Sequence, residues 1–474
     1  AKHEDLKDEG QSITFPEIKT NAKDSETGTN ISKADEKVKI IDEVSYTGLI
    51  PNKEYELNAH LVRKDTKEPL KVNGEMIVST KKFTPTEPDG SVEVEFEFDG
   101  SALEGKTVVA FESLEYNKIQ IAVHADINDK NQSIDFPAIK TNAQDSETND
   151  HLAKADELVT LVDHVSFDNL NPGESYDLFG RVISKETQDT LQAKVVIGAL
   201  LPGTEQNLTL LTSGDYVYVE SNEKGIAEGI YQKVGEKYKL VGSDEKAIEL
   251  SKSVISDKNT YDKDTYVYID NGKIIDVDNP EYIYSENKQP VTRKITFVPK
   301  KSSGTVDVTF QFDASELAGQ STVVFEDLLQ FQGSEQYINI SIASHEDIND
   351  KNQTVNFPKI QTEAKDAVTG EHVASPDKKT KIIDSVFYDS LIPGKSYEIL
   401  GKLYIRETGE PLLVDGKEVT GKTSFTPDKS SGTVEIEFEF DASALAGKTV
   451  VAFEDLRFNK ISIGSHEDIN DEQQ

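Results

Sequence analysis

The stretch HADINDKNQSIDFPAIKTNAQD, residues 124–145, decides how this 474-residue chain is organised. Close copies of it begin at His3 and His345, and its first nine residues return as HEDINDEQQ at 466–474. All four copies fit the pattern HxDxxDxxQ, and their final glutamines stand 121, 221 and 121 residues apart. Recurrence at a long, fixed period is typical of repeated domains, so we predict tandem units. The middle unit carries about 100 extra residues.

The segments between these copies have the pattern of short β-strands. In the first unit they are VKIIDEVSY at 38–46, YELNAHLV at 55–62, SVEVEFEFD at 91–99 and KTVVAFESL at 106–114. They are rich in β-branched and aromatic residues, several alternate with period two, and turn signals such as LIPNKE separate them. About seven such strands in roughly 120 residues predict an all-β fold in which each unit is a β-sandwich.

The spacing therefore predicts three tandem sandwiches, at 12–132, 133–353 and 354–474, preceded at 1–11 by the tail of an upstream unit. We expect the extra residues of the middle unit to form an insertion at about 192–290. It holds nine of the chain's 17 tyrosines, in patterns such as TYVYIDNGKIIDV that indicate β-hairpins. These tyrosines suit a ligand-binding face or a small core of their own.

Composition excludes several classes of partner. The 87 acidic and 51 basic residues give a net charge of −36, which repels nucleic-acid phosphates and anionic lipids. No run approaches the roughly 18 apolar residues of a membrane helix, and the opening AKHEDLKDEG lacks the apolar stretch of a signal peptide. We expect a mature fragment without membrane insertion. There is no cysteine, so disulfides are excluded and small extracellular domains would need another staple.

Polar residues recur inside otherwise apolar strands, where an unpaired buried charge is costly. One is an aspartate 22 residues after a repeated threonine, and another is a glutamate in AFESL, VFEDL or AFEDL. Together with the threonine and the histidine and glutamine of the signature, they make a set of five polar residues that each unit repeats. The sets are Thr20, Asp42, Glu112, His124 and Gln132; Thr141, Asp163, Glu326, His345 and Gln353; and Thr362, Asp384, Glu454, His466 and Gln474.

These sets indicate a nucleophile with acid and base support, because a threonine hydroxyl reacts poorly until a neighbouring base takes its proton. Neutral histidine is the natural base near neutral pH. The HxDxxDxxQ ending, the early threonine and the strand-borne Asp and Glu closely resemble the Thr–Gln ester-bond domains of Gram-positive surface adhesins. The resemblance covers nearly the whole chain and implies Ig-like sandwiches arranged as a rod.

The resemblance also implies a reaction within each unit. A threonine on the first strand attacks the carboxamide of the glutamine on the last strand, which releases ammonia and leaves an intramolecular ester. The implied links are Thr20 to Gln132, Thr141 to Gln353 and Thr362 to Gln474. The implied bases are His124, His345 and His466. The implied carboxyl pairs, which would share a proton and polarise the amide, are Asp42 with Glu112, Asp163 with Glu326 and Asp384 with Glu454.

The functional expectation is the structural stalk of a wall-anchored, extracellular adhesin that turns over no external substrate and needs no cofactor or metal. Its partners would be the neighbouring domains of the same chain and an unknown host-surface ligand, bound through the tyrosine-rich insertion. Gln11 has no partner threonine in this chain, so we expect it to stay unreacted.

Two other interpretations remain open at this point. DINDKNQ also resembles the calcium-binding linkers of cadherin repeats, and acidic, oxygen-rich loops are what calcium prefers. That alternative predicts adhesion repeats stiffened by calcium without covalent links. The signature aspartates, such as Asp126 and Asp129, are also the residue type that caps turns by bonding nearby backbone amides.

Overall fold

The structure is a computed structural model. It describes residues 11–199, 208–210, 216–219, 229–235, 237–240, 246–250, 260–261, 266–270, 273–277, 282–285, 287–330, 340–471 and 473. Over these residues the regular structure consists of strands and short 3-10 turns, which confirms the all-β prediction. Within the same residues, no helix has the length and apolarity needed to cross a membrane.

The first unit spans residues 17–136 and contains ten strands. They are β1 (Glu17–Asp24), β2 (Val38–Thr47), β3 (Tyr55–Arg63), β4 (Lys71–Val72), β5 (Glu75–Met76), β6 (Val78–Phe83), β7 (Gly90–Phe98), β8 (Lys106–Tyr116), β9 (Ile119–His124) and β10 (Ser133–Phe136). One sheet has the order β1-β2-β7, and the other has the order β10-β8-β3-β6 with β9 also on β8. All pairings between these strands are antiparallel.

The two sheets of the first unit face each other across one hydrophobic core. Burial alternates strictly along β1 and β2, so that every second side chain points inward. This is the consequence of the two-residue period of a strand with one face on the core and one in solvent. The core joins residues of both sheets, such as Ile40 and Phe96 with Leu57 and Leu114. The unit is therefore a sandwich of two sheets.

The second unit spans 138–357 and repeats this arrangement. Its framework strands are β11 (Ala138–Lys140), β12 (Ala143–Asp145), β13 (Val159–Asp168), β14 (Tyr176–Ser184), β26 (Thr292–Phe297), β27 (Gly304–Phe312), β28 (Gln320–Gln330), β29 (Ile340–His345) and β30 (Thr354–Phe357). Both β11 and β12 pair with β13, and β27 lies on the other side of β13. The facing sheet has the order β26-β14-β28-β29, with β30 also on β28.

Between β14 and β26 lie eleven further strands. They are β15 (Gln192–Ala193), β16 (Val196–Ala199), β17 (Leu208–Leu210), β18 (Tyr216–Val219), β19 (Gly229–Val234), β20 (Lys237–Leu240), β21 (Thr260–Tyr261), β22 (Tyr266–Asp270), β23 (Lys273–Val277), β24 (Tyr282–Tyr284) and β25 (Gln289–Pro290). In the sheets assigned, they pair with one another. Val217, Val219 and Tyr231 form a small buried cluster there. Much of the predicted insertion, including most of its tyrosine side chains, lies outside the described residues.

The third unit spans 359–466. Its strands are β31 (Lys359–Asp366), β32 (Thr380–Asp389), β33 (Tyr397–Ile405), β34 (Glu410–Pro411), β35 (Leu413–Val414), β36 (Lys417–Glu418), β37 (Thr420–Phe425), β38 (Gly432–Phe440), β39 (Val450–Phe458) and β40 (Ile461–His466). One sheet is β31-β32-β38, and the other centres on β33 and β39. A buried tyrosine at the start of β3, β14 and β33 accepts a hydrogen bond from a backbone amide five residues earlier.

The segment after each signature glutamine differs from the sequence prediction. We expected residues 133–136 to begin the second unit, but β10 pairs with β8 of the first unit, and Ile134 and Phe136 are fully buried in the core of that unit. In the same way β30 pairs with β28, and Val355 and Phe357 complete the core of the second unit. The first and second structural units therefore extend four residues past their glutamines, because the two apolar side chains of each segment are buried in the core of the preceding sheets.

This assignment predicts unequal effects for two matched substitutions. Phe136→Ala should destabilise the first unit by about 3–5 kcal/mol, because it deletes a fully buried aromatic side chain. Phe15 occupies the corresponding position after Gln11, but it is 89% exposed. Phe15→Ala should therefore leave the stability of the first unit equal to that of the parent. Peptide-resolved hydrogen exchange would locate the loss of protection in residues 17–136. Equal protection in both variants would contradict the placement of β10.

Candidate functional site

The first two predicted residues lie on neighbouring strands of one sheet. Thr20 stands on the inward face of β1, and Asp42 stands on the inward face of β2, opposite Ala22 in the register. Both side chains are buried, and Asp42 has no exposed surface. The period-two alternation of VKIIDEVSY places Asp42 in line with Ile40 and Val44, so the carboxyl enters the core by register.

The other three residues come from one edge of β8. Glu112 on β8 pairs directly with His124, the last residue of β9. The signature loop then leads to Gln132, whose backbone carbonyl accepts a hydrogen bond from Ala110 at 3.0 Å. Strands β9 and β10 thus share one edge of β8, end to end, and the signature loop between them presents His124 and Gln132. The structure brings all five predicted residues of this unit to one place.

The carboxamide of Gln132 is held by a carboxyl group. Its Nε2 donates to Oε2 of Glu112 at 2.5 Å, and both side chains are buried. The hydroxyl of Thr20 makes no hydrogen bond of normal geometry, but it lies close enough to lower the pKa of Glu112 slightly. The hydroxyl and the carboxamide therefore meet at the same glutamate.

Burial controls the charge of the two carboxyls. It raises the pKa of Asp42 to about 6, and it raises the pKa of Glu112 to about 10, where the nearby charge of Asp42 adds to the effect. Two carboxyls in one apolar site cannot both ionise without large cost, so one proton stays with the pair. At neutral pH, Glu112 is the protonated member and Asp42 the ionised one.

Each signature histidine is oriented by an aspartate five residues further on. The Nε2 of His124 lies 2.9 Å from Oδ2 of Asp129, and the distance is 2.7 Å between His345 and Asp350. The other oxygen of Asp129 accepts the backbone N–H of Asn131 at 2.8 Å, so the predicted capping role is confirmed. The contact to histidine is an additional role that the sequence analysis missed, although the fixed five-residue spacing contained the signal.

In the second unit the same residues meet with small differences. Thr141 lies in a break between β11 and β12, where Asp163 accepts the backbone N–H of Asn142 at 3.0 Å. Glu326 pairs with His345 on β29, and the backbone carbonyl of Gln353 accepts from Val324 at 3.1 Å. Burial raises the pKa of Asp163 to about 6 and that of Glu326 well above its usual range.

In the third unit the predicted base lies next to the predicted nucleophile. The hydroxyl of Thr362 lies 3.3 Å from Nδ1 of His466, and Nε2 of His466 lies 3.3 Å from Asp471. Asp384 and Glu454 have no exposed surface, and burial raises the pKa of Asp384. Gln474 lies outside the described residues. Gln473 accepts the N–H of Ala364 at 2.9 Å, and Asn131 and Asn352 make the same bond in the other units.

Buried polar atoms without a hydrogen-bond partner concentrate at these sites. Among the described residues they include the hydroxyls of Thr20 and Thr141, Oε1 of Gln132, and both polar side-chain atoms of Gln353. Each such atom costs about 1–3 kcal/mol of desolvation that no partner repays. Native proteins tolerate a cluster of this kind at reactive or strained sites.

A small residue stands opposite the glutamate in all three units. Ala59, Gly180 and Gly401 occupy the position that pairs with Glu112, Glu326 and Glu454, respectively. A Cβ added at Gly180 would touch Oε1 of Glu326, and one added at Gly401 would lie 2.5 Å from the ring of Phe438. The sequence analysis did not single out these positions. The recurring small residue in the middle of an apolar strand was the available signal.

The acidic loops were also the basis of the calcium alternative. Asp126 and Asp129 use their Oδ1 atoms on the backbone amides of Asn128 and Asn131, and Asp129 uses Oδ2 on His124. Over the part of the chain that the structure describes, no three or more His, Asp or Glu side chains are grouped as a metal ion would require.

The solved structures that match this chain share very little sequence identity with it. One is a bacterial adhesin from Mobiluncus mulieris containing intramolecular disulfide, isopeptide and ester bond cross-links, at 10% identity, with 68% of this chain and 80% of that chain covered and a TM-score of 0.20. Another is a tetra-tandem repeat in the extending region of a large adhesion protein, at 10% identity, 95% and 98% coverage and a TM-score of 0.16. The C-terminal domain of the Streptococcus agalactiae AgI/II polypeptide BspA has 7% identity, 66% and 95% coverage and a TM-score of 0.24. Similarities this weak do not define a function.

The sequence itself matches a family model over most of its length. No curated protein matches it significantly. The model of the T-Q ester bond containing domain matches residues 16–136, 137–200, 232–357 and 358–474. The first match ends at Phe136 and the third at Phe357, where the structural units also end. The chain belongs to the family of T-Q ester bond containing domains.

Proposed function

We propose that each unit forms one ester between its threonine and its glutamine, and that the chain is the stalk of an extracellular adhesin anchored in a cell wall. The observation that carries the proposal is the bond from the carboxamide of Gln132 to the protonated Glu112, beside the hydroxyl of Thr20 in a site closed to water. The proposed links are Thr20 to Gln132, Thr141 to Gln353 and Thr362 to Gln474.

The proposed reaction consumes only groups of the unit itself. The histidine accepts the proton of the threonine hydroxyl as its oxygen attacks Cδ of the glutamine. The glutamate holds the carboxamide and supplies a proton to the nitrogen as the C–N bond breaks. Ammonia leaves, an ester remains, and the proton taken by histidine returns to the glutamate. Because nucleophile and acyl group are both part of the chain, the site acts once and has no external substrate.

The ester would serve as the covalent cross-link that disulfides cannot supply in a chain without cysteine. Thr20 and Gln132 enclose 113 residues, and closing a loop of that length removes unfolded-state entropy worth about 4–5 kcal/mol in the disulfide model. Three such cross-linked units in series suit a stalk that is under tension. The tyrosine-rich stretch at 192–290 is the segment proposed to bind a host-surface ligand, since tyrosine gives rigid, amphipathic contact area.

The central prediction concerns intact mass. The purified chain should weigh less than its sequence mass by three ammonias, and Thr141→Ala should weigh less than its own sequence mass by two. Thr80→Ala, at an exposed position on β6, is the matched control and should retain all three losses. Unshifted masses would rule out the esters. A large drop in melting temperature on adding a chelator would instead favour the calcium-stiffened alternative.

A second prediction tests the aspartate behind the histidine. Asp350→Asn should slow ester formation in the second unit at least about tenfold, because the aspartate fixes which ring nitrogen of His345 carries the proton. Asp347→Asn is the control, since Asp347 lies in the same loop but caps only the backbone of Asn349. The time course of ammonia loss after refolding gives both rates. Equal rates would limit Asp350 to a structural role.

A third prediction concerns pH. In Thr20→Val, which prevents the ester, the first unit should be most stable below about pH 4 and lose stability as pH rises through about 6 and 10. The sign follows because both carboxyl pKa values are raised on folding, so the folded state holds protons that the unfolded chain releases. Adding Glu112→Gln should flatten the decline above pH 6. Calorimetric melting at fixed ionic strength measures this, and rising stability over this range would contradict the shared proton.

A further inference from the structure

The first two units each contribute one apolar side chain to the hydrophobic core of the unit that follows. Ile31 lies in the first unit, in the loop after β1, but it packs in the core of the second unit. Leu152 occupies the same place in the second unit and packs in the core of the third. Both side chains are fully buried. We call residues 27–33 and 148–154, which carry these side chains, the joint loops.

Each joint loop is held in shape by its own unit. Thr27 donates its hydroxyl hydrogen to the carbonyl oxygen of Ile31 at 2.6 Å, and Thr148 makes the same bond to Leu152 at 2.6 Å. The backbone of each loop also forms a parallel bridge with the segment that follows the signature glutamine. The apolar side chain is therefore presented by a fixed support, so little conformational entropy is lost when the next unit buries it.

Hydrogen bonds surround the buried side chain at the first joint. Thr29 donates its hydroxyl hydrogen to Oε1 of Gln330 at 3.0 Å, and Gln330 is itself buried in the second unit. In the opposite direction, Nδ2 of Asn169 in the second unit donates to the backbone carbonyl of Lys106 in the first at 2.7 Å. Because polar groups of each unit are paired by the other, the joint has the character of a specific interface.

The second joint is held by an ion pair. Nζ of Lys395 in the third unit contacts both carboxylate oxygens of Asp150 in the joint loop. The same ammonium group lies 5.0 Å from the centre of the Phe458 ring, within the range of a cation–π contact. The two charged side chains are 28% and 21% exposed, so solvent screens the pair only in part.

The positions that meet in the two joints correspond, but their side chains differ. Thr29 in the first joint loop corresponds to Asp150 in the second. Glu174 corresponds to Lys395, since each stands two residues before the buried tyrosine of its unit. An exchange of the two loops would place Asp150 beside the acidic Glu174 and leave Lys395 without its carboxylate. Each joint loop therefore fits the unit that follows it better than it would fit the other one.

We propose that the two joints are specific interfaces through which the stability of the second and third units depends on the joint loop of the unit before. The dependence has a direction, because Ile31 belongs to the core of the second unit and its truncation leaves a cavity there. The separate core of the first unit keeps its packing. Units coupled in this way behave as repeats whose stabilities combine with an interface term. The inference does not depend on the ester.

Peptide-resolved hydrogen exchange of the whole chain tests the direction of the coupling. Ile31→Ala should raise exchange in the slowest peptides of the second unit at least about tenfold and leave those of the first unit unchanged. Leu152→Ala should do the same to the third unit and spare the second. Ile50→Ala is the matched control, because Ile50 is 52% exposed in the first unit, and it should exchange like the parent.

Charge reversal tests the specificity of the second joint. Asp150→Lys and Lys395→Asp each bring like charges together, and each should raise exchange in the third unit at least about tenfold. The double variant restores an opposite pair, so its exchange should return to within about threefold of the parent. Lys402→Asp is the control, since Lys402 pairs with Glu418 on the surface of the same unit, and it should change exchange by less than about threefold.

The outcomes separate this proposal from that of the ester. An Ile31→Ala chain that exchanges faster only in its first unit, or in neither unit, overturns the coupling. A double variant whose effect is the sum of the two single ones overturns the specificity of the second joint. Intact mass reports the esters independently in every sample, so failure of the joints and failure of the cross-links are distinguishable.

Discussion

The first two units each depend on one edge of a central strand, which two consecutive segments of the chain share. In the first unit β9 pairs with the second half of β8 and β10 pairs with the first half, and the signature loop joins them. The loop must leave the sheet after His124 and return at Gln132, and this detour places both side chains beside Glu112. The same hydrogen-bonded edge thus builds the candidate site and attaches the following unit.

In its unreacted form the site lowers the stability of the unit, because it buries polar side chains in an apolar core. Carboxyls, a hydroxyl and a carboxamide enter a core whose other members are aliphatic or aromatic, and several of their atoms find no partner. Burial keeps a proton on the carboxyl pair at neutral pH, which removes one of the two charges. Ester formation would remove the buried hydroxyl and expel the carboxamide nitrogen as ammonia, so the covalent product is better suited to this core than the reactants.

The sequence predicted which residues come together in the first unit because the relevant information is local and repeated. The alternation of β2 fixes that Asp42 points inward, and the nine-residue signature fixes the spacing of His124 and Gln132. Which strand a segment pairs with depends, in contrast, on residues that are distant in the sequence. Residues 133–136 follow the glutamine directly, so chain order assigned them to the next unit, whereas burial of Ile134 and Phe136 assigns them to the previous one. The second contact of Asp129 is local and was missed for a different reason, since the turn-capping role already accounts for this residue.

The placement of β10 also determines where tension acts on the array. With the proposed ester in place, the covalent path through the first unit runs from Thr20 directly to Gln132, and the residues enclosed between them carry no load. Residues 133–136 lie outside that loop and are held to β8 and to the stretch 30–32 by hydrogen bonds and two buried side chains. Once the side-chain contacts between the two units are broken, they are therefore the first part of the first unit that a pull from the second unit can detach. Extending four residues releases only about 13–14 Å of chain, after which the load reaches the ester itself.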